Sequence, residues 1–294
     1  MTLRNNDTQS LKLRNKTVQR FAFVLNLIGN GTLANVLLEY INVKAVLRRG
    51  GKEYVLFNEN LQLLAQESMF FQGYDHALQK TAISISATQK MLPLMVDLGS
   101  PVNLKGMDEL TMEVTSKTGW YADFDASQSS LEVEDREAIG IEAYIPFIKT
   151  FSISATHSRV KESLGDNVTS ITLLNTEPAR TNSDADCVFQ GMIITSDKYS
   201  ASDNRGRLLS RRASQFTNSS DAILRKESFR YIPNLELHDV EITLELNGGN
   251  VAATKNYIVY RSYVVTQEGL SRAQSLANKH ANENQSKLND QLNA

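Results

Sequence analysis

An all-β fold with minor helices, laid out as two β-rich halves, is what this sequence predicts, and three observations predict it. In residues 91–116 (MLPLMVDLGSPVNLKGMDELTMEVTS), Leu92, Leu94, Val96 and Leu98 share one face of an extended run. In a second run Leu110, Met112 and Val114 alternate with Thr111, Glu113 and Thr115. Alternation with period two marks a strand with one buried face. A similar order of Pro/Leu strand, connector and alternating strand returns at residues 231–246, where Val240, Ile242, Leu244 and Leu246 oppose Glu241, Thr243 and Glu245. Elsewhere, short apolar runs are punctuated by Gly, Pro, Asn and Asp at the spacing of a β-sandwich or jelly roll.

The bulk numbers agree with a globular chain. Its 294 residues suffice for one large or two ordinary domains, and 41% hydrophobic with 22% charged residues is ordinary composition. A formal net charge of −2 provides no global positive field toward nucleic acid or an anionic membrane, so any such binding must be local. The one cysteine, Cys187, excludes an intramolecular disulfide and a Cys-cluster metal site, and beside Val188 and Phe189 it reads as a small buried hydrophobe. No apolar signal core opens the chain, and no window approaches the ~18 consecutive apolar residues of a membrane helix. The protein is expected to be made without a Sec-type signal, which makes Asn167-Val168-Thr169 a chance glycosylation triplet.

In chain order, residues 1–20 set Arg4, Lys12, Arg14, Lys16 and Arg20 against Asp7 alone and read as a basic, polar arm suited to an anionic surface. From Phe21 the chain turns apolar, through a Gly29-Asn30-Gly31 turn to two runs, 44–48 and 53–57, joined by Gly50-Gly51. This is a hairpin signal, because tight primed turns need positive φ. Leu61, Leu64, Ala65 and Met69 then fall at helical spacing, with Asn58 as N-cap and Gly73 as stop. Residues 81–87 (TAISISA) alternate again and lead into 91–116. The acidic, Ser-rich stretch 123–137 reads as the connector between halves, and a first unit over 21–137 and a second over 138–266 are expected. In the second, IEAYIPFI, TFSISATHS, TSITLL and CVFQGMIIT are strand candidates. Residues 196–220 read as a polar surface loop bearing Arg205, Arg207, Arg211 and Arg212. After the β-rich 257–265, Leu270, Ala273, Ala277, Ala281, Asn284, Leu288 and Leu292 recur at three or four residues and predict a weakly amphipathic helix over 267–294.

Catalytic chemistry is not legible. His76, His157, His238 and His280 stand far apart in no metal-binding spacing. Gly29 lacks the further glycines and the following helix of a phosphate cradle, and there is no GxSxG elbow. No cofactor is expected. One constellation imitates a calcium loop, with Asp123, Asp125, Ser127 and Ser129 at alternate positions and Glu134 closing it, yet Gln128 sits where the tight turn needs Gly. A solvated acidic connector is the plainer reading. The arginines of 205–212 have only Phe216 as aromatic company, and stacking platforms for nucleic acid need several. A loop that pairs with acidic surfaces of neighbouring subunits is favoured over direct nucleic-acid binding. The RRAS tetrapeptide is a chance kinase-site match.

The paired segments PLMVDLGSPVNLKGMDELTMEV and IPNLELHDVEITLEL, with the hairpin-and-helix module LEYINVKAVLRRGGKEYVLFNENLQLL, resemble the double jelly-roll major capsid proteins of tailless icosahedral phages with an internal membrane. The corticovirus-like and finnlakevirus-like types are the ones resembled. The likeness spans residues 20–266, and the polar insertion TEPARTNSDAD departs from it near Ile171. It implies two tandem jelly rolls, a homotrimer of pseudo-hexagonal outline, and contacts with neighbouring trimers and with minor capsid or vertex proteins. It further implies a virion location after synthesis in the host cytoplasm, and an inward-facing arm against an anionic internal membrane. A carbohydrate-binding or adhesion sandwich is the competing class and calls for clustered exposed aromatics, whereas Trp120 is the lone tryptophan. An enzyme on a β-sandwich is a third reading, for which no acid/base pair or metal set can be assembled.

Overall fold

A computed structural model of the chain describes residues 1–31, 36–72, 83–121, 123–140, 142–153, 158–175, 189–198, 200–204, 229–231, 237–246, 256–267, 269–271, 274–275 and 278–279. The first half contains β1 (Thr2–Leu3), β2 (Thr8–Leu13), β3 (Thr17–Ile28), β4 (Ile41–Arg49), β5 (Lys52–Asn60), helix α1 (Leu61–Gln72), β6 (Ile83–Ser86), β7 (Gln89–Asn103), β8 (Glu109–Ser116) and β9 (Ser130–Glu137). The second contains β10 (Tyr144–Ile153), β11 (Arg159–Gly165), β12 (Val168–Asn175), β13 (Phe189–Thr195), β14 (Ser200–Asn204), β15 (Phe229–Tyr231), β16 (Val240–Leu246) and β17 (Asn256–Val265).

Strand order identifies the architecture. One sheet of the first half runs β1-β9-β3-β7-β6 and the other β2-β8-β4-β5; in the second half the sheets run β10-β17-β12-β15 and β11-β16-β13-β14. With the short β6 set aside and the strands of each half counted from one to eight, both halves read 1-8-3-6 against 2-7-4-5. That is a jelly roll made twice, with antiparallel ladders in which the last strand inserts beside the first. The segments 91–116 and 231–246 fall on the sixth and seventh strands of their respective rolls.

Each roll closes over the faces that the alternation marks. Phe21, Phe23, Leu25 and Leu27 of β3 meet Leu92, Leu94 and Val96 of β7 and, from the facing sheet, Val43, Leu47, Leu110, Met112 and Val114. The second core gathers Ile171, Leu173, Phe189, Ile194, Val240, Ile242, Leu244 and Ile258. Both hairpin glycines take positive φ, 57° at Gly50 and 75° at Gly51, and the register pairs Arg49 with Lys52. Helix α1 starts two residues later than the Asn58 cap implied: β5 runs through Asn60, whose side chain accepts the Leu63 amide at 3.0 Å and caps the helix.

Several elements differ from expectation. Residues 1–20 are not an arm but β1, β2 and the first part of β3. Residues 130–137 are not a connector but β9, hydrogen-bonded between β1 and β3, with Leu131 and Val133 inward and Glu132 and Glu134 outward. The polar RVKESLG and SASDN are β11 and β14, the two edges of their sheet. IEAYIPFI and TFSI merge into the single strand β10. Edge strands bury little, so polar side chains dilute the period-two signal that reveals interior strands. Beyond β17 the backbone is helical at 267, 269–271, 274–275 and 278–279. A Cβ on Gly269 would stand 1.9 Å from the Ala143 carbonyl oxygen, so this start of the helix lies against the segment joining the rolls. The rest of the tail, with Cys187, His76, His157 and His280, is outside the described residues.

Phe23 is fully buried in the middle of β3. Phe23→Ala is expected to lower unfolding free energy by ~3–5 kcal/mol, read from urea denaturation followed by circular dichroism.

Candidate functional site

The five N-terminal cations belong to the sheets. Arg14 Nε donates to Glu109 at 2.8 Å, Lys16 Nζ lies 2.8 Å from Asp135, and Arg20 Nε lies 2.7 Å from Asp97. Arg4 donates to the Ser127 carbonyl, and exposed Lys12 pairs in register with Thr111 on β8. Three of the five are thus held by carboxylates of the same roll, and the segment is not the extended arm that was expected. The Arg14 hydrogen bond, with Thr111 and the charge of Lys12 assisting, holds the Glu109 carboxyl below its ordinary range.

The calcium imitation resolves into a turn. Asp125 accepts the Ser127 amide at 2.7 Å, the Ser127 hydroxyl at 2.7 Å and the Gln128 side chain at 2.8 Å. These bonds hold its carboxyl low and define an Asx-type turn. Asp123 takes φ 63°. Glu134 lies on β9, about 13 Å along the strand from Ser130 at ~3.3 Å per residue, and pairs with Arg136 at 3.4 Å. Among the described residues no group of three or more His, Cys, Asp or Glu could hold a metal ion. Nor is the Gly29 turn a cradle: Gly29 bridges Phe124 in backbone pairing, and a Cβ on Gly31 would stand 2.4 Å from the Phe124 ring. Arg205, Arg207, Arg211 and Arg212 lie outside the described residues, in the connection between β14 and β15.

What the fold does assemble is a polar seam between the rolls. The outward face of sheet β10-β17-β12-β15 packs on the flank of the first roll, with β10 against β5 and β7 and α1 against β12. Ile148 and Val259 cross into the first roll's core. Between them Arg261 is 4% exposed; its Nε donates to Glu67 of α1 at 2.7 Å, a second nitrogen meets the other carboxylate oxygen, and that nitrogen also donates to the Asp97 carbonyl at 2.8 Å. Asp97 in turn takes Arg20 on its carboxylate and the Ser68 hydroxyl on its amide, so strands of both rolls and the helix meet in one network. Ser170 and Thr172, on the same face of β12, are buried hydroxyls without a hydrogen-bond partner. A second clamp holds the joining segment: Arg49 meets Asp108 at 2.8 Å and also meets Glu142, which accepts the Asn103 amide at 2.8 Å. Nearer the middle of the seam, Thr150 donates to Glu59. Apart from Arg20, read as part of a basic arm, sequence reading missed these groups. Glu67 and Arg261 are 194 positions apart, and nothing local marks either as paired.

Among the described residues no element packs over the equivalent face of the first roll. On it β3 and β7 set Val24 beside Pro93 and Ala22 beside Met95, with Val24, Met91, Pro93 and Met95 half-exposed, and β9 adds exposed Glu132 and Glu134. A pocket of about 440 Å³ lies at one end, lined by Gln19, Arg20, Met95, Arg136, Ala138 and Ile139. Ile139 is fully exposed. Trp120, by contrast, is fully buried and edge-on to Tyr121 with ring centroids 4.0 Å apart. Among the described residues with assigned burial no aromatic is exposed.

No protein-family model matches the sequence, and no curated protein matches it. Solved structures do. The chain is similar to the STIV MCP, at 12% identity over 89% of this chain and 93% of that one, with TM-score 0.58. It is similar to the major capsid protein P2 from bacteriophage PM2, at 8% identity over 90% and 93%, TM-score 0.51. PBCV-1 VP54 matches at 9% identity over 89% and 90%, TM-score 0.51. At these identities the likeness is one of fold, the double jelly roll.

Glu67→Ala would leave a buried guanidinium short of its carboxylate and is expected to cost ~3–5 kcal/mol. The pair replacement Glu67→Leu with Arg261→Met is expected to recover most of that, both read by urea denaturation. Burial raises the Glu59 carboxyl pKa, opposed by the Thr150 hydrogen bond. The folded chain therefore holds this proton more tightly than the unfolded chain. The resulting stability is complete below the unfolded pKa and is lost as pH rises through the folded one. Glu59→Gln is accordingly expected to raise the melting temperature at neutral pH, with the gain vanishing below about pH 4.

Proposed function

We propose that the protein is a major capsid protein, a structural subunit that assembles as trimers into an icosahedral shell. The observation that carries this reading is the duplicated strand order 1-8-3-6 against 2-7-4-5, joined by a buried seam. A likeness in fold over 89–90% of the chain to structures that include a bacteriophage major capsid protein supports it. The physical case is that two like sandwiches in one chain offer a surface with approximate sixfold repetition once three chains associate, and such units tile a hexagonal lattice. Residence in the virion, contact with neighbouring trimers and contact with vertex proteins follow from the same reading. An internal membrane beneath the shell and a phage host belong to it through the sequence resemblance alone, and with the first 20 residues placed in the sheets, no N-terminal arm is assigned to lipid.

The expected result in solution is a stable particle of three times the 32.8 kDa chain mass, measured by multi-angle light scattering at micromolar concentration. Negative-stain electron microscopy should then show pseudo-hexagonal outlines. A strictly monomeric mass would overturn the proposal.

A further inference from the structure

The seam inside the chain is heterologous: a sheet face of one roll meets the strand-edge flank and helix of the other. The face used by the second roll, carrying Ile148, Val259, Arg261, Ser170 and Thr172, is buried, each residue 4% exposed or less. Because the two rolls share one strand order, the first roll has the same face, made by β1, β9, β3 and β7, and there Val24, Met91, Pro93 and Met95 are half-exposed and Glu132 and Glu134 exposed. The second roll has the corresponding flank, on the side of β14 and β15, and the chain between those strands is residues 205–228. Heterologous contacts that repeat with a constant rotation close into rings. Such a ring takes one face and one flank from each chain.

We propose that the outward face of β9-β3-β7 is the docking surface for a second copy of this chain, which seats its 205–228 segment there. Charge favours this occupant. The face presents Glu132 and Glu134 beside the half-exposed Val24, Pro93 and Met95, and the segment brings Arg205, Arg207, Arg211 and Arg212 within eight positions. Opposite charges flanking an apolar patch steer encounter and set register, while apolar burial contributes the affinity. The intrachain seam uses the same scheme with the signs exchanged: there the segment between the fifth and sixth strands supplies Glu67 and the face supplies Arg261. The exchange of sign also discriminates between partners, because an Arg-bearing segment seated on the Arg261 face would set like charges together.

The inference rests on the trimeric capsid reading and deepens it, and charge reversal on the full chain separates the two. Glu132→Arg with Glu134→Arg alters only exposed side chains, which accept a hydrogen bond from Asn26 and pair with Arg136 respectively, so the melting temperature of the monomeric unit serves as a folding control. Light scattering across a dilution series is expected to show trimers dissociating at concentrations at least ~100-fold higher than for the unaltered chain, the scale of like-charge penalties at interfaces. Reversal of the four arginines to Glu should weaken association similarly, and the combined six-site variant should regain trimers. Met95→Lys, which acts on the apolar part of the face, should also weaken association. If the unaltered chain is trimeric and the Glu132/Glu134 variant associates equally well, or if the six-site variant fails to regain trimers, this docking assignment is overturned while the capsid reading stands. A chain that never trimerises overturns both.

Discussion

The buried contact of Arg261 with Glu67 and the Asp97 carbonyl is the constraint on which the arrangement of the two rolls depends. Removing a guanidinium and a carboxylate from water is costly, and the cost is offset only when each charge finds a partner with good geometry. Here the bidentate pairing fixes helix α1 against β17, and the Asp97 carbonyl fixes β7 against the same guanidinium. A purely apolar seam would tolerate sliding, since dispersion and burial have little directional preference. The ion pair admits one register. Arg49, holding Asp108 and Glu142 near the joining segment, adds a second fixed point.

A rigid relation between the rolls is what the proposed assembling role would require. If a lattice is to close, the angle between the two halves of each subunit must be the same in every copy, and small angular errors accumulate over many contacts. In this chain polar groups at the seam hold the two rolls, while their sandwich cores form separate clusters. Among the described residues the outward face of the first roll is partly apolar. Ala22 is already covered by its neighbours, whereas Val24, Met91, Pro93 and Met95 remain half-exposed beside charged residues.

Glycine and Asx chemistry shape the ends of the first roll. Gly31 lies against the Phe124 ring, and Asp125 gathers the amides that turn the chain into β9. Motifs that resemble a phosphate turn and a calcium loop are therefore parts of one packed corner. Both have the composition of ligand sites for the same reason that ligand sites have it: tight backbone approach needs Gly, and unpaired turn amides need short carboxylates.

Strands buried on one face were legible without coordinates. Leu92 to Leu98, Leu110 to Val114 and Val240 to Leu246 alternate because each presents one side to a core, and Gly50-Gly51 announces a hairpin because only positive φ turns that tightly. The repetition of residues 91–116 at 231–246 was enough to suggest a duplicated design. The polar edge strands β2, β11 and β14 were not legible, because they bury little and pass for arms or loops. The seam lay beyond reach for a different reason. Glu67 pairs with Arg261 and Arg20 with Asp97 across separations that no local pattern encodes, so only the closed fold could reveal which charges meet and which face is left uncovered.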